Sequence, residues 1–165
     1  MSTNRIKNFI VHSLVVTMSC YFHSVFAALA TCTVSTTLPV SFGNYNPFNL
    51  TPIDTTGTIH VSCTALLAGG LVNYTVTLNP GLYGTFATRE MANGSYRLNY
   101  NIYKDATRLS VWGDGTSGTS TNTGSCLLVI GGNCAADFSA YGRLPAEQNA
   151  GVGAYADTVT VTITY

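Results

Sequence analysis

Residues that could carry acid–base or metal chemistry are few and widely spaced in this sequence. Beyond residue 23 there is one histidine, His60, so neither a histidine-based triad nor a histidine metal cluster can be assembled there. The Gly113-Asp114-Gly115 stretch lacks the further spaced carboxylates of a calcium loop. The seven carboxylates fall at predicted turns and strand ends, without the facing pair that a glycosidase requires: Asp54, Glu90, Asp105, Asp114, Asp137, Glu147 and Asp157. We therefore predict that the protein is not an enzyme and holds no cofactor.

Residues 1–30 have the organisation of a secretory signal peptide. Arg5 and Lys7 form a basic start, an apolar run follows over residues 9–25, and Ala28-Leu29-Ala30 supplies small residues at a cleavage site. A cut after Ala27 is an alternative. The run is short and interrupted by polar residues, which disfavours a membrane anchor. We expect a signal peptide at 1–30 and one exported domain at 31–165.

The charge of the exported part disfavours two classes of partner. Removing Arg5 and Lys7 from the seven basic residues leaves five, against seven acidic ones. No stretch forms a basic patch. We therefore expect no binding to nucleic acid and no electrostatic attachment to a membrane.

Four cysteines remain after removal of Cys20, and an even number in an exported chain indicates disulfides. They are Cys32, Cys63, Cys126 and Cys134. No pair has the Cys-x-x-Cys spacing of a zinc site. Three pairings are possible. We favour Cys126–Cys134, which closes a short loop, and Cys32–Cys63, which ties the first strand to the second.

Alternating apolar residues predict an all-β fold. The alternation runs through the even positions from Cys32 to Phe42, through residues 72–78, and through the final stretch 156–165. Pro39 donates no backbone hydrogen bond, so the first strand should lie at an edge. Seven or eight short strands without a helical period predict an antiparallel, immunoglobulin-like β-sandwich.

The apolar residues Leu127, Leu128, Val129 and Ile130 lie between two cysteines and have two interpretations. They could form a fully buried strand, which we favour, or an exposed apolar tip that contacts a surface.

Several separated motifs resemble the spore coat protein U domain family, whose members include subunits of archaic chaperone–usher pili. The resemblance covers the exported part in order. The residues that carry it are Cys32-Thr33-Val34 and residues 40–47 at the start, residues 86–91, 98–105 and 111–115 in the middle, and residues 141–148 and 157–165 at the end.

The resemblance implies an immunoglobulin-like sandwich that lacks its last strand and leaves an apolar groove between the first strand and the last one present. A periplasmic chaperone would fill the groove first, and an N-terminal segment of the next pilus subunit would replace it at the outer-membrane usher. The groove residues would be Val34, Leu38, Val40, Val159, Val161, Ile163 and Tyr165. The Cys32–Cys63 pairing also fits this family, which implies export through the periplasm to a surface pilus.

One feature departs from the family pattern. Subunits that extend a fibre carry an alternating donor segment before the first cysteine, whereas Cys32 would follow the Ala30 cleavage site almost directly. We therefore expect a terminal subunit at the tip of the fibre, which could also touch a host or abiotic surface. The alternatives are a self-contained carbohydrate-binding sandwich with exposed aromatics such as Tyr45, Tyr83 or Trp112, and a component of a spore or outer coat.

Overall fold

The computed structural model describes residues 30–65 and 69–165, and these form an antiparallel, immunoglobulin-like β-sandwich. The expected signal peptide, apart from Ala30, and Cys20 lie outside the described residues. The strands are β1 (Ala30–Leu38), β2 (Ile53–Ala65), β3 (Gly70–Leu78), β4 (Arg89–Asn93), β5 (Tyr96–Tyr103), β6 (Asn122–Leu128), β7 (Asn133–Leu144) and β8 (Val161–Thr164). Within these two ranges, no helix has the length and apolar character needed to cross a membrane.

The strands form two sheets whose inner faces enclose the core. One sheet has the order β1-β2-β7-β5-β4 and the other the order β6-β3-β8. The period-two alternation of the sequence becomes the inner and outer face of each strand. In β3, for example, Val72, Tyr74, Val76 and Leu78 are buried while the residues between them are more exposed.

β2 and β7 form the centre of the larger sheet. They pair continuously from Ile53 opposite Leu144 to Thr64 opposite Asn133. β1 pairs with β2 alone, so the prediction of an edge strand is confirmed. The register of β1 against β2 shifts between Thr36 and Leu38, and the pairing ends at Leu38 opposite Thr58.

Two disulfides join the strands at one end of the sandwich. Cys32 is bonded to Cys63 across the β1–β2 pair, and Cys126 of β6 is bonded to Cys134 of β7, which links the two sheets. This is the pairing that we favoured among the three possible. Among the described residues, no group of histidine, cysteine and carboxylate side chains is arranged to hold a metal ion.

The alternative of carbohydrate binding was wrong about one aromatic residue. Trp112 is fully buried and its Nε1 donates to the carbonyl oxygen of Val76 at 3.0 Å, so it cannot serve as an exposed sugar-binding aromatic. Val111 and Trp112 lie outside the eight strands and make only isolated bridges.

The favoured interpretation of Leu127–Ile130 as a buried strand was also wrong. Leu128 is 3% exposed, but Leu127 is 78% exposed and both Val129 and Ile130 are exposed. β6 ends at Leu128, and the chain then turns, with Gly132 N–H donating to the carbonyl oxygen of Val129 at 2.8 Å. The alternation of β6 thus stops before the last two apolar residues.

Candidate functional site: an open apolar groove

An open groove of ≈ 1120 Å³ lies between the two sheets. Residues 36–47, which continue β1, form its first wall. Residues 150–161, which lead into β8, form its second wall. Its floor consists of buried side chains of the sandwich core: Ile59, Leu78, Leu98, Tyr100, Ile102, Ala140 and Leu144.

The first wall rests in a notch made by two glycines. A Cβ at Gly57 of β2 would stand 2.8 Å from the carbonyl oxygen of Leu38 and 2.9 Å from Val40 Cγ2. A Cβ at Gly142 of β7 would stand 2.5 Å from Val40 Cγ1 and 3.1 Å from Phe42 Cε1. Because both glycines lack a side chain, the chain after β1 can cross close to the sheet, which seats Val40 and Phe42 along the groove.

The second wall ends in a strand with one unpaired edge. β8 pairs with β3 through four residues, from Val161 opposite Leu78 to Thr164 opposite Thr75. Among residues 30–65 and 69–165, no strand pairs with its other edge. β1 likewise has one unpaired edge. Backbone N–H and C=O groups on such edges are available to an additional strand.

A polar contact anchors the second wall to the floor. Tyr100 donates its hydroxyl proton to Asp157 Oδ2 at 2.7 Å, and Asp157 Oδ1 accepts from the backbone N–H of Leu82 at 2.9 Å. Burial, then the hydrogen bond to Asp157, raises the pKa of Tyr100 well above its ordinary value. The phenol therefore stays protonated and holds the second wall in place at Asp157.

A second anchor lies at Ala156. Its backbone N–H and C=O exchange hydrogen bonds of 3.2 and 2.9 Å with Ala92 at the outer edge of β4. Together with the Tyr100–Asp157 contact, this bridge fixes the chain just before it enters β8.

The buried Arg89 organises the loops beside this wall and was not recognised from the sequence. Its guanidinium is fully buried and donates to the carbonyl oxygens of Asn79 at 2.9 Å and Trp112 at 2.8 Å, and to Asn101 Oδ1 at 2.6 Å. Burial lowers its pKa. The backbone N–H of Asn79 donates to the carbonyl oxygen of Thr160, and Asn79 Oδ1 accepts from the Thr160 N–H. Through Asn79, Arg89 therefore supports the chain that enters β8.

The structure brings together part of the expected groove set. Leu38, Val40, Val159 and Val161 line the groove. Val34, Ile163 and Tyr165 do not line it. The inward-facing side chains of β1 become more exposed along the strand. Cys32 is buried, whereas Leu38 is 52% exposed. The expected site thus divides into a groove part and a part nearer the disulfide end.

The exposed members of the 127–130 stretch lie elsewhere, on the outer face and the turn of the smaller sheet. Leu127 stands opposite Leu71 of β3, and both side chains are exposed. Val129 and Ile130 follow in the adjacent turn. We name Leu71, Leu127, Val129 and Ile130 the apolar tip.

Fold and site together define an all-β sandwich with an open apolar groove bordered by strand edges. A family model described as Spore Coat Protein U domain matches residues 17–162. Protein U of Myxococcus xanthus is 35% identical over 139 residues, which cover 76% of this chain and 71% of that relative. The chain belongs to the Spore Coat Protein U domain family.

A solved structure of low sequence identity is also similar. It is a chain of the CsuC–CsuE chaperone–tip adhesion subunit pre-assembly complex from the archaic chaperone–usher Csu pili of Acinetobacter baumannii, with a TM-score of 0.49 and 22% identity. The similarity covers 83% of this chain, which spans 40% of that solved chain.

Proposed function

We propose that this protein is an exported structural subunit of a chaperone–usher pilus, and that its groove receives an extended segment of a partner chain. The groove carries this proposal. It combines an apolar floor of core side chains with the unpaired edges of β1 and β8. A strand with alternating apolar residues would cover the floor with one face and pair its backbone with these edges, which is binding by β-augmentation.

The partners follow from the family resemblance. A periplasmic chaperone would occupy the groove during export, and the N-terminal segment of a neighbouring subunit would replace it at the usher. The role is structural and not enzymatic. The groove residues in this proposal are those of both walls, and Val34, Ile163 and Tyr165 would extend the contact toward the disulfide end.

Peptide binding tests the proposal. A peptide of about 12 residues alternating Val and Thr spans roughly 40 Å when extended. A control peptide has the same composition in a Val-Val-Thr-Thr order, which cannot keep one apolar face. We expect the alternating peptide to raise the free energy of unfolding by about 2.7 kcal/mol at 100 times its Kd. Equal effects of both peptides, or none from either, would contradict the proposal.

The position in the fibre depends on the mature N terminus. We propose that residues 1–30 are removed, and cleavage after Ala30 leaves Thr31 alone before Cys32, with no segment to donate. The subunit would then end a fibre. Mass spectrometry of the exported protein decides this, because a mature chain beginning before residue 20 would retain a segment of donor length and contradict the terminal position.

The apolar tip supports a second, adhesive role. Its four exposed side chains lie on two neighbouring strands and one turn, so they can contact a host or abiotic surface together. Replacing Leu127 and Ile130 by Ser should reduce adsorption to polystyrene while leaving peptide binding in the groove unchanged. Unchanged adsorption would contradict this role.

Two other functions have less support. In a carbohydrate-binding sandwich, Trp112 could not stack on a sugar because it is buried. The ring of Tyr83 is already in contact with the Arg97 guanidinium, which lies 4.8 Å from its centroid. A spore or outer-coat role predicts that the protein is found in the coat, which fractionation of producing cells would reveal.

A further inference from the structure

Tyr45 of the first wall is hydrogen-bonded to Gln148, which lies two residues before the second wall begins. The backbone N–H of Gln148 donates to the Tyr45 hydroxyl at 2.6 Å, and the hydroxyl lies 3.5 Å from the carbonyl oxygen of Gln148. Tyr45 belongs to the first wall and is half-buried against the core. Gln148 begins the segment that becomes the second wall.

The side chain of Gln148 is itself fixed by β5. Its Nε2 donates to the carbonyl oxygen of Asn99 at 2.9 Å, and its Oε1 accepts from the Asn99 N–H at 2.6 Å. The amide thus makes both bonds that a neighbouring strand residue would make.

The sequence explains why a side chain is needed there. β5 pairs with β7 in the register that sets Asn101 opposite Arg143, and continuing it by two residues would set Asn99 opposite Pro145. Proline has no backbone N–H to donate. β7 ends at Leu144, and Gln148 satisfies Asn99 while directing the chain away from β5 toward the second wall.

We propose that the Tyr45–Gln148 pair is a positioning device that sets the separation of the groove walls at this end, and thereby strengthens the binding of the part of a donor strand that reaches it. The inference rests on the proposed function of the groove. Neither residue needs to contact the donor strand, because the pair acts through the walls that it holds.

A length series of peptides tests the device. The alternating peptide is compared with versions shortened by two residues from either terminus, because one of these no longer reaches the Tyr45 end. In the unchanged protein, we expect the peptide that no longer reaches Tyr45 to bind more weakly than the full-length peptide. In Tyr45→Phe, the full-length peptide should bind about three- to tenfold more weakly, the effect of one lost hydrogen bond. The peptide that does not reach Tyr45 should bind as it does to the unchanged protein.

Tyr141→Phe is the matched control. Tyr141 lies on β7 and does not line the groove, and its ring centroid lies 5.9 Å from the Arg108 guanidinium. This substitution should leave all peptide affinities unchanged. Gln148→Met should behave like Tyr45→Phe because it releases Asn99. Gln148→Glu should also weaken binding, because its second carboxylate oxygen would face the carbonyl oxygens of Asn99 and Pro145, to which Nε2 of Gln148 donates.

The outcomes separate this inference from the function on which it rests. If the unchanged protein binds no alternating peptide, the proposed function fails. If it binds and Tyr45→Phe binds every peptide equally well, only the positioning role is overturned. A uniform loss for short and long peptides would indicate a general loss of stability and would also overturn the positioning role.

Discussion

Gly57 lies directly beneath Val40, so close that a Cβ on the glycine would stand 2.9 Å from Val40 Cγ2 and from the Val40 backbone nitrogen. Two of the three nearest atoms belong to the backbone of the first wall, which cannot rotate away as a side chain can. The first wall can therefore lie this close to β2 only because residue 57 has no side chain.

A methyl group at this position should displace the wall. Gly57→Ala should lower the free energy of unfolding by about 1–3 kcal/mol, as expected for overpacking, and weaken peptide binding in the groove. Gly70→Ala in β3 is the control, because a Cβ there meets no atom within 4 Å. Equal stability of the two variants in denaturant titrations would show that the wall is free to shift.

Removing the buried guanidinium should be more damaging. Arg89→Met leaves the carbonyl oxygens of Asn79 and Trp112 without their donor, and each buried group left unsatisfied costs about 1–3 kcal/mol. We expect a loss of several times the effect of Arg97→Met, a half-exposed arginine that serves as control. Denaturation can be followed by the fluorescence of Trp112, the only tryptophan. Similar losses in the two variants would contradict the supporting role of Arg89.

The two disulfides should differ in their contributions. The Cys32–Cys63 bond closes a separation of 31 residues and the Cys126–Cys134 bond one of 8. The loop-entropy model gives roughly 3–4 kcal/mol for the longer loop and roughly 2–3 kcal/mol for the shorter. Paired Cys→Ser substitutions should show that order in chemical denaturation, and the reverse order would contradict the chain-entropy account.

Asp54 should contribute to acid sensitivity. The hydrogen bond from Arg143, with help from the charge of Arg108, holds the pKa of Asp54 below its ordinary value of 3.8. Because the folded pKa is the lower one, the stabilisation is present above pH 3.8 and is lost as pH falls toward the folded value. The carboxylate is partly exposed, so the effect should be modest.

The comparison of Asp54→Asn with the unchanged protein checks this sign. The stability difference between them should shrink as the pH falls below about 4. A difference that stays constant from neutral pH to pH 3 would show that the Arg143 contact does not depend on the charge.

Features that depend on neighbouring residues could be predicted from the sequence, and features that depend on distant ones could not. The alternation through Val72–Leu78 is local, and the structure confirms its buried face. The amide of Gln148 beside Asn99 joins residues 49 positions apart, and no periodicity indicates it. The burial of Arg89 could not be predicted, although Arg89 lies within residues 86–91 of the family motif. Its burial depends on carbonyl groups from separate loops.

One error arose where apolar residues continued past the end of a strand. Leu127–Ile130 contains four apolar residues in a row, which matches a buried strand as well as an exposed turn. The turn that begins after Leu128 decides between them, and its position depends on where β6 and β7 separate. Trp112 was named among exposed aromatics because its burial depends on distant residues such as Val76, whose carbonyl oxygen accepts its N–H.

The floor of the groove consists of the same side chains that hold the two sheets together, among them Leu78 and Leu144. A strand seated there would contact the core itself rather than a surface separate from it. We therefore expect the free energy of unfolding to rise with the logarithm of the concentration of the alternating peptide above its Kd; a value independent of that concentration would contradict this expectation. The stability of the protein with its groove filled would then depend on the supply of a second chain as well as on its own sequence.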